Sequence, residues 1–119
     1  MRIFTAVALS LSLVSGAWAQ ELPVDEVPYI KTPQVVVDKM LDLAQVGADD
    51  YLIDLGSGDG RIIITAAKER GARGFGVELD DRLVDSSNEA ARKAGVAERA
   101  QFFARDLFET DISLSLIHI

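Results

Sequence analysis

Three carboxylates and one glycine-rich run are the residues whose types and spacing could do chemistry in this chain. In the stretch Tyr51 to Arg61, YLIDLGSGDGR, an apolar run ends in Asp54 and glycines follow at alternate positions, Gly56, Gly58 and Gly60. Glycine has no Cβ, so such a loop tolerates positive φ and lets a ligand lie against bare backbone. A dinucleotide fingerprint, G-x-G-x-x-G, would need glycine where Arg61 stands, so that ligand class fails on spacing. Asp54 would repel a pyrophosphate and attract a cation, and a low local dielectric strengthens both effects. The loop therefore favours a positively charged ligand over a phosphorylated one. Two other structures fit part of the run. A hairpin across SGDG would join two β-branched segments, but Ile62 to Arg70 continues as a helix-like segment that stops at Gly71. A calcium loop would need oxygen side chains where Gly56 and Gly58 stand and a glutamate where Thr65 stands.

The elements that must position these groups can be followed along the chain. Thr32 as N-cap and Pro33 at the first helical position open a helix whose polar residues Gln34, Asp38, Asp42 and Gln45 recur opposite Val36, Met40 and Leu43, ending near Gly47. A strand over Tyr51 to Asp54 feeds the glycine loop, which delivers a helix from about Gly60 to Arg70. A second strand ends at Glu78. Asp80 caps the next helix, which carries a Glu89/Lys93 pair at i, i+4 and stops at Gly95. Ala100 to Ala104 is a third strand. Helix followed by β-α-β-α-β predicts an α/β fold, a Rossmann-like parallel sheet with flanking helices and right-handed crossovers, with its ligand crevice at the carboxyl ends of the strands. Asp54, Glu78 and Asp106 all fall at those ends. An acid at the tip of the second strand can accept both hydroxyls of a ribose.

The run Asp54-Leu55-Gly56-Ser57-Gly58-Asp59-Gly60 resembles the first motif of class I S-adenosylmethionine-dependent methyltransferases. Their ligand carries a sulfonium and an ammonium and no phosphate, as the charge argument requires. The resemblance implies S-adenosyl-L-methionine as cofactor. It assigns Asp54, Gly56, Ser57 and Gly58 to the methionine end, Glu78 to the ribose, and Asp106 and Leu107 to the adenine, and it counts Leu79 among the cofactor-binding residues. The lead-in Val27 to Pro33, VPYIKTP, is similar to that of a subgroup of small bacterial methyltransferases related to enzymes that modify protein lysines. There the resemblance places Tyr29 and Thr32 over the cofactor, although Tyr29 as a hydrophobic staple and Thr32 as a helix cap serve equally well. The acceptor is not legible, and the catalytic residues stay unknown. The sulfonium activates the methyl group, so the protein's task is to hold donor and acceptor in line and exclude water. Two rivals stand beside this reading: an exported non-catalytic protein that keeps the fold, and an aminopropyl transferase-like enzyme.

Composition narrows the classes further. The chain has 119 residues, 12 Lys+Arg against 19 Asp+Glu, and a formal charge of −7. That length fits a single domain. The acidic balance argues against a general nucleic-acid surface, which needs clustered cations. With no cysteine there is no disulfide, thiolate nucleophile or zinc finger. No metal is expected. Residues 1–19 have a positive start at Arg2, an apolar stretch from Ile3 to Val14 and a small-x-small site at Ala17-Trp18-Ala19. This is the pattern of a secretory signal peptide, with an uncleaved N-terminal membrane anchor as the alternative; cleavage would leave no transmembrane span and a periplasmic or secreted chain. Residues 20–32 then form an extended linker and 33–112 a methyltransferase cofactor-binding half-domain. The resemblance stops near Ile112, so the expected sheet is truncated after its third strand and 113–119 form an atypical tail. His118 in that tail is expected to be incidental rather than a catalytic base.

Overall fold

The computed structural model describes residues 29–113; the expected signal peptide, most of the linker and all of the tail but Ser113 lie outside the described residues. Its elements are α1 (Gln34–Leu43), β1 (Tyr51–Asp54), α2 (Arg61–Arg70), β2 (Arg73–Glu78), α3 (Asp81–Lys93), β3 (Ala100–Ala104) and a 3-10 turn over Leu107–Glu109. The strands form one parallel sheet in the order β1-β2-β3, with Leu52 opposite Gly74 and Gly76 opposite Phe102. The expected Rossmann-like parallel arrangement is therefore present, and the hairpin across the glycine loop is not: that loop leads into α2. Among the described residues no helix is long and apolar enough to cross a membrane.

The two faces of the sheet are built differently. α2 packs on all three strands, α3 packs on β2, β3 and α2, and α1 lies against α2. Beneath the helices the side chains are small or flat: Leu52, Ala100 and Phe102 from the strands meet Ile63, Ala66, Ala67, Val84 and Ala91. Gly74 and Gly76 complete this face. A Cβ on Gly74 would overlap the Leu52 carbonyl, and one on Gly76 would overlap Ser57 and approach Phe102. The opposite face carries an aromatic row. Tyr51 and Phe75 stand edge to face with centroids 6.2 Å apart, Phe75 and Phe103 do so at 5.9 Å, and the Arg105 guanidinium lies 4.5 Å from the Phe103 ring centre.

Helix ends follow the sequence except at the two ends of α1, and one side-chain pair within α3 differs. α2 stops at Gly71 in the left-handed region, and Asp80 caps α3 by accepting from the Arg82 N–H. Thr32 does not cap α1. Pro33 occupies the cap position in extended conformation, with no side-chain cap, and its carbonyl accepts from Val36 and Val37. α1 also ends before Gly47. Gln45 takes φ 54°, and the Gln45 and Val46 N–H groups donate to Asp42 and Leu41, a Schellman closure built without glycine. Glu89 pairs with Arg92 one turn away rather than with Lys93, because the branched guanidinium reaches the carboxylate at i, i+3. On the outer edge of β3, Asn88 of α3 bonds the strand twice: its Nδ2 donates to the Phe102 carbonyl (3.0 Å) and its Oδ1 accepts from the Phe102 N–H (3.1 Å).

Because the obstacle at Gly74 is main chain of the neighbouring strand, it cannot rotate away. Gly74→Ala is expected to cost about 3 kcal/mol, measured as a lower urea midpoint. Gly95→Ala has no neighbour to strike, so its loss should come from the positive φ alone and be smaller.

Candidate functional site

The carboxyl ends of the three strands, the glycine loop and the lead-in residues 29–32 enclose a cleft of about 690 Å³. Chain reversal at the end of β1 creates it. The glycine loop turns back at Gly58 (φ 54°) and Gly60 (φ 81°), a conformation that side chains rarely adopt, and Gly60 places the first turn of α2 under the loop. The loop is tied down from two neighbouring elements. Ser57 donates from both its N–H (2.9 Å) and its hydroxyl (3.3 Å) to the Val77 carbonyl of β2, while the buried Ser87 hydroxyl of α3 donates to the Gly58 carbonyl (3.1 Å). Its position is set by these contacts before any ligand arrives.

Of the residues singled out in the sequence, Asp54, Gly56, Ser57, Gly58, Glu78, Leu79 and Leu107 line this cleft. Asp106 does not lie on the wall, although Arg105 and Leu107 on either side of it do. Its Oδ1 accepts from the Phe108 N–H and so caps the 3-10 turn that sets Leu107 in place. Ser57 contributes backbone, since its hydroxyl is turned to Val77. Glu78 Oε2 accepts from the Leu79 N–H, which leaves Oε1 without a partner among the described residues. Leu79 is three-quarters exposed at the rim.

Asp54 is the most constrained of these groups. Its Oδ1 accepts from the Gly56 N–H at 3.1 Å, whereas Oδ2 is buried with no partner among the described residues. Burial pushes the carboxyl above its usual range; the Gly56 N–H opposes that shift, and the Glu78 charge adds to it. A buried half-satisfied carboxylate is costly by itself, and a cation in the cleft would relieve it. Asp59, in the same loop, behaves oppositely. The Arg61 guanidinium donates to it from Nε and Nη2 and holds its carboxyl below the usual range.

Sequence reasoning missed Arg61, Arg105 and Ser87. Arg61 entered only as the residue that broke the dinucleotide spacing, yet it bonds both Asp59 of the glycine loop and Thr32 of the lead-in. No periodicity marks Ser87, a polar residue on the buried face of α3. A second, more open hollow of about 780 Å³ lies among α1, α2 and α3. Arg70 there is already engaged by Asp42, and Gln34 by Thr65, so the strand-end cleft is the candidate site.

Comparison with known proteins points to the same region. The family model of the ANTKMT methyltransferase domain matches residues 54–116. A protein-lysine N-methyltransferase of Saccharolobus islandicus (strain REY15A) is 46% identical over 91 residues, covering 76% of this chain and 56% of that protein. A lysine N-methyltransferase of Caenorhabditis elegans, named for a component of ATP synthase, is 36% identical over 93 residues, covering 73% of this chain and 48% of the other. Among solved structures, an RNA methyltransferase from Salinibacter ruber in complex with S-adenosyl-L-homocysteine superposes with a TM-score of 0.71 at 53% identity, over 72% of this chain and 56% of that one. The chain spans about half the length of the curated relatives it matches.

The two loop carboxylates should separate in a pH titration of stability. A raised folded pKa means that Asp54 favours the folded state most when protonated, so its contribution falls as pH rises above its usual value of 3.8. Asp59, with a lowered folded pKa, contributes above 3.8 and loses that contribution as pH falls through its folded value. Asp54→Asn should therefore flatten the decline that sets in above about pH 4 and raise the ligand-free melting temperature at about pH 7. Asp59→Asn should lower stability at neutral pH and leave that decline in place.

Proposed function

This chain belongs to the ANTKMT methyltransferase domain family, and on that premise we propose that it holds S-adenosyl-L-methionine in the strand-end cleft for methyl transfer to a protein lysine. The observation that carries the proposal is the orphaned, buried Oδ2 of Asp54 beside a glycine loop with no phosphate-binding spacing. An anionic ligand would add to the cost of that buried carboxylate, whereas a ligand carrying an ammonium or a sulfonium would offset its charge. The residues present fit the cofactor. Asp54 takes the cationic methionine end, bare backbone at Gly56 to Gly58 lies along it, and Glu78 offers Oε1 to the ribose hydroxyls. Leu79 and Leu107 supply apolar contact at the nucleoside end, with Asp106 acting on the adenine side from beyond the wall.

When bound, the cofactor supplies a methyl group already activated by its positive sulfur. The chain's own part is placement. Ser57 and Ser87 fix the loop in advance, so little ordering is left for the moment of binding. The lead-in residues Tyr29 to Thr32 cover one side of the cleft and limit access of water. Acids outnumber bases on the wall, with Asp54, Asp59, Glu78 and Asp80 against Lys31, Arg61 and Arg105. That balance suits the cationic cofactor. The lysine reading is supported by the two curated relatives, from Saccharolobus islandicus and Caenorhabditis elegans, both named as lysine N-methyltransferases. An RNA acceptor is the second reading, favoured by the Salinibacter ruber neighbour; the net charge of −7 opposes it. Residues 1–19 complete the proposal as an export signal, supported by Arg2, the apolar run and Ala17-Trp18-Ala19.

Titration calorimetry with S-adenosyl-L-methionine tests the cofactor assignment. Binding to the unaltered chain and at least about tenfold weaker binding to Asp54→Asn are expected, the effect of losing one charge-assisted contact. Equal affinity in the two would remove Asp54 from the site. For the export signal, the N-terminus of protein recovered from its producing cells should be Gln20; a chain starting at Met1 counts against cleavage.

A further inference from the structure

Residues 29–33 belong to no helix or strand, yet they form one wall of the cleft through Tyr29, Ile30, Lys31 and Thr32. A segment without ladder hydrogen bonds opens at low cost unless something else holds it. Two contacts do so here, and both reach the glycine loop or the first residue of α2. The Tyr29 ring covers Gly58 so closely that a Cβ there would overlap it. Arg61 makes the other. Its Nε and Nη2 donate to the Asp59 carboxylate at 3.1 and 2.6 Å, and its remaining arm, Nη1, donates to the Thr32 carbonyl at 2.8 Å. Asp59 thus fixes the plane of the guanidinium, and the fixed plane presents a charged donor to the main chain of the lead-in. A guanidinium offers both partners donors fixed in one plane, whereas an ammonium on a flexible stem has no such fork.

We propose that Arg61 is a positioning residue that latches the lead-in across the cleft and thereby sets how long the bound nucleoside stays. Arg61 itself also lines the cleft, and the role proposed for it runs through the Thr32 carbonyl. The inference rests on the reading that the cleft holds S-adenosyl-L-methionine or its product. Because the latch closes over an already formed floor, its loss changes departure more than arrival. The Tyr29 contact and the Arg61 contact fasten the same strap, so releasing either one opens it. Their effects on departure are therefore not independent.

The test is the release rate of S-adenosyl-L-homocysteine from the full chain, followed by displacement with excess S-adenosyl-L-methionine. Arg61→Gln should release it about tenfold faster, as expected for one charge-assisted hydrogen bond, with the association rate changed less than about twofold. Arg61→Lys should resemble Arg61→Gln, because charge alone does not make the fork. Tyr29→Ala should also speed release, and the double variant should release little faster than the quicker single one. If Arg61→Gln fails to fold, Arg61→Lys and Tyr29→Ala carry the same comparison. Unchanged release in the Arg61 variants, or strictly multiplicative effects in the double variant, would overturn the latch while leaving the cofactor assignment intact. No binding of S-adenosyl-L-homocysteine to the unaltered chain would overturn both.

Discussion

A carboxylate with one oxygen bonded and the other buried, without a partner among the described residues, is the constraint around which this domain is arranged. Asp54 stands at the last position of β1, where the strand's pleat and the turn at Gly56 carry it out of solvent. Isolated, the group raises the free energy of the folded state. The surrounding structure compensates for it with a well-packed floor: Ser57 bonded twice to Val77, Ser87 bonded to the loop carbonyl, and small side chains that let α2 approach the sheet. A site that is unfavourable when empty and relieved by a cation gains selectivity from its own strain on the fold. Ligands of the wrong charge meet the penalty in full.

Much of this was legible in the sequence, and for identifiable reasons. The order of elements followed from apolar runs punctuated by Gly71 and Gly95, and the strand ends from the acids that interrupt those runs. Asp54, Glu78 and the glycine loop between them do line the cleft, together with Leu79 and Leu107; Asp106 alone stands behind the wall. The readings that failed were those in which one residue competes with another for a partner. Thr32 is a reasonable cap by type, but Pro33 takes the cap position with its fixed φ and the Thr32 carbonyl is claimed by Arg61. Glu89 could meet Lys93 by spacing, but Arg92 reaches it first. Gln45 closes α1 in a conformation that pattern rules reserve for glycine. Long-range side-chain choices such as Ser87 to Gly58 leave no periodic trace at all.

The sheet itself divides the work. On the helical side, Gly74 and Gly76 bring backbone and helix close enough for the loop to be bonded from β2 and α3. On the other side, Tyr51, Phe75 and Phe103 form a row of edge-to-face rings that ends under Arg105, a residue of the cleft wall. One face thus carries the geometry of the site, while the other carries apolar area and reaches the site through Val77 and that cation.

The paired hydrogen bonds of Asn88 to Phe102 give the sheet a direction of growth. They occupy the N–H and C=O of Phe102, two of the main-chain groups that another strand would need beside β3. An endless fibre requires two adhesive borders on every molecule. The amide of one helix residue therefore acts as a chain terminator on the β3 side, denying a strand from another copy the Phe102 main-chain groups.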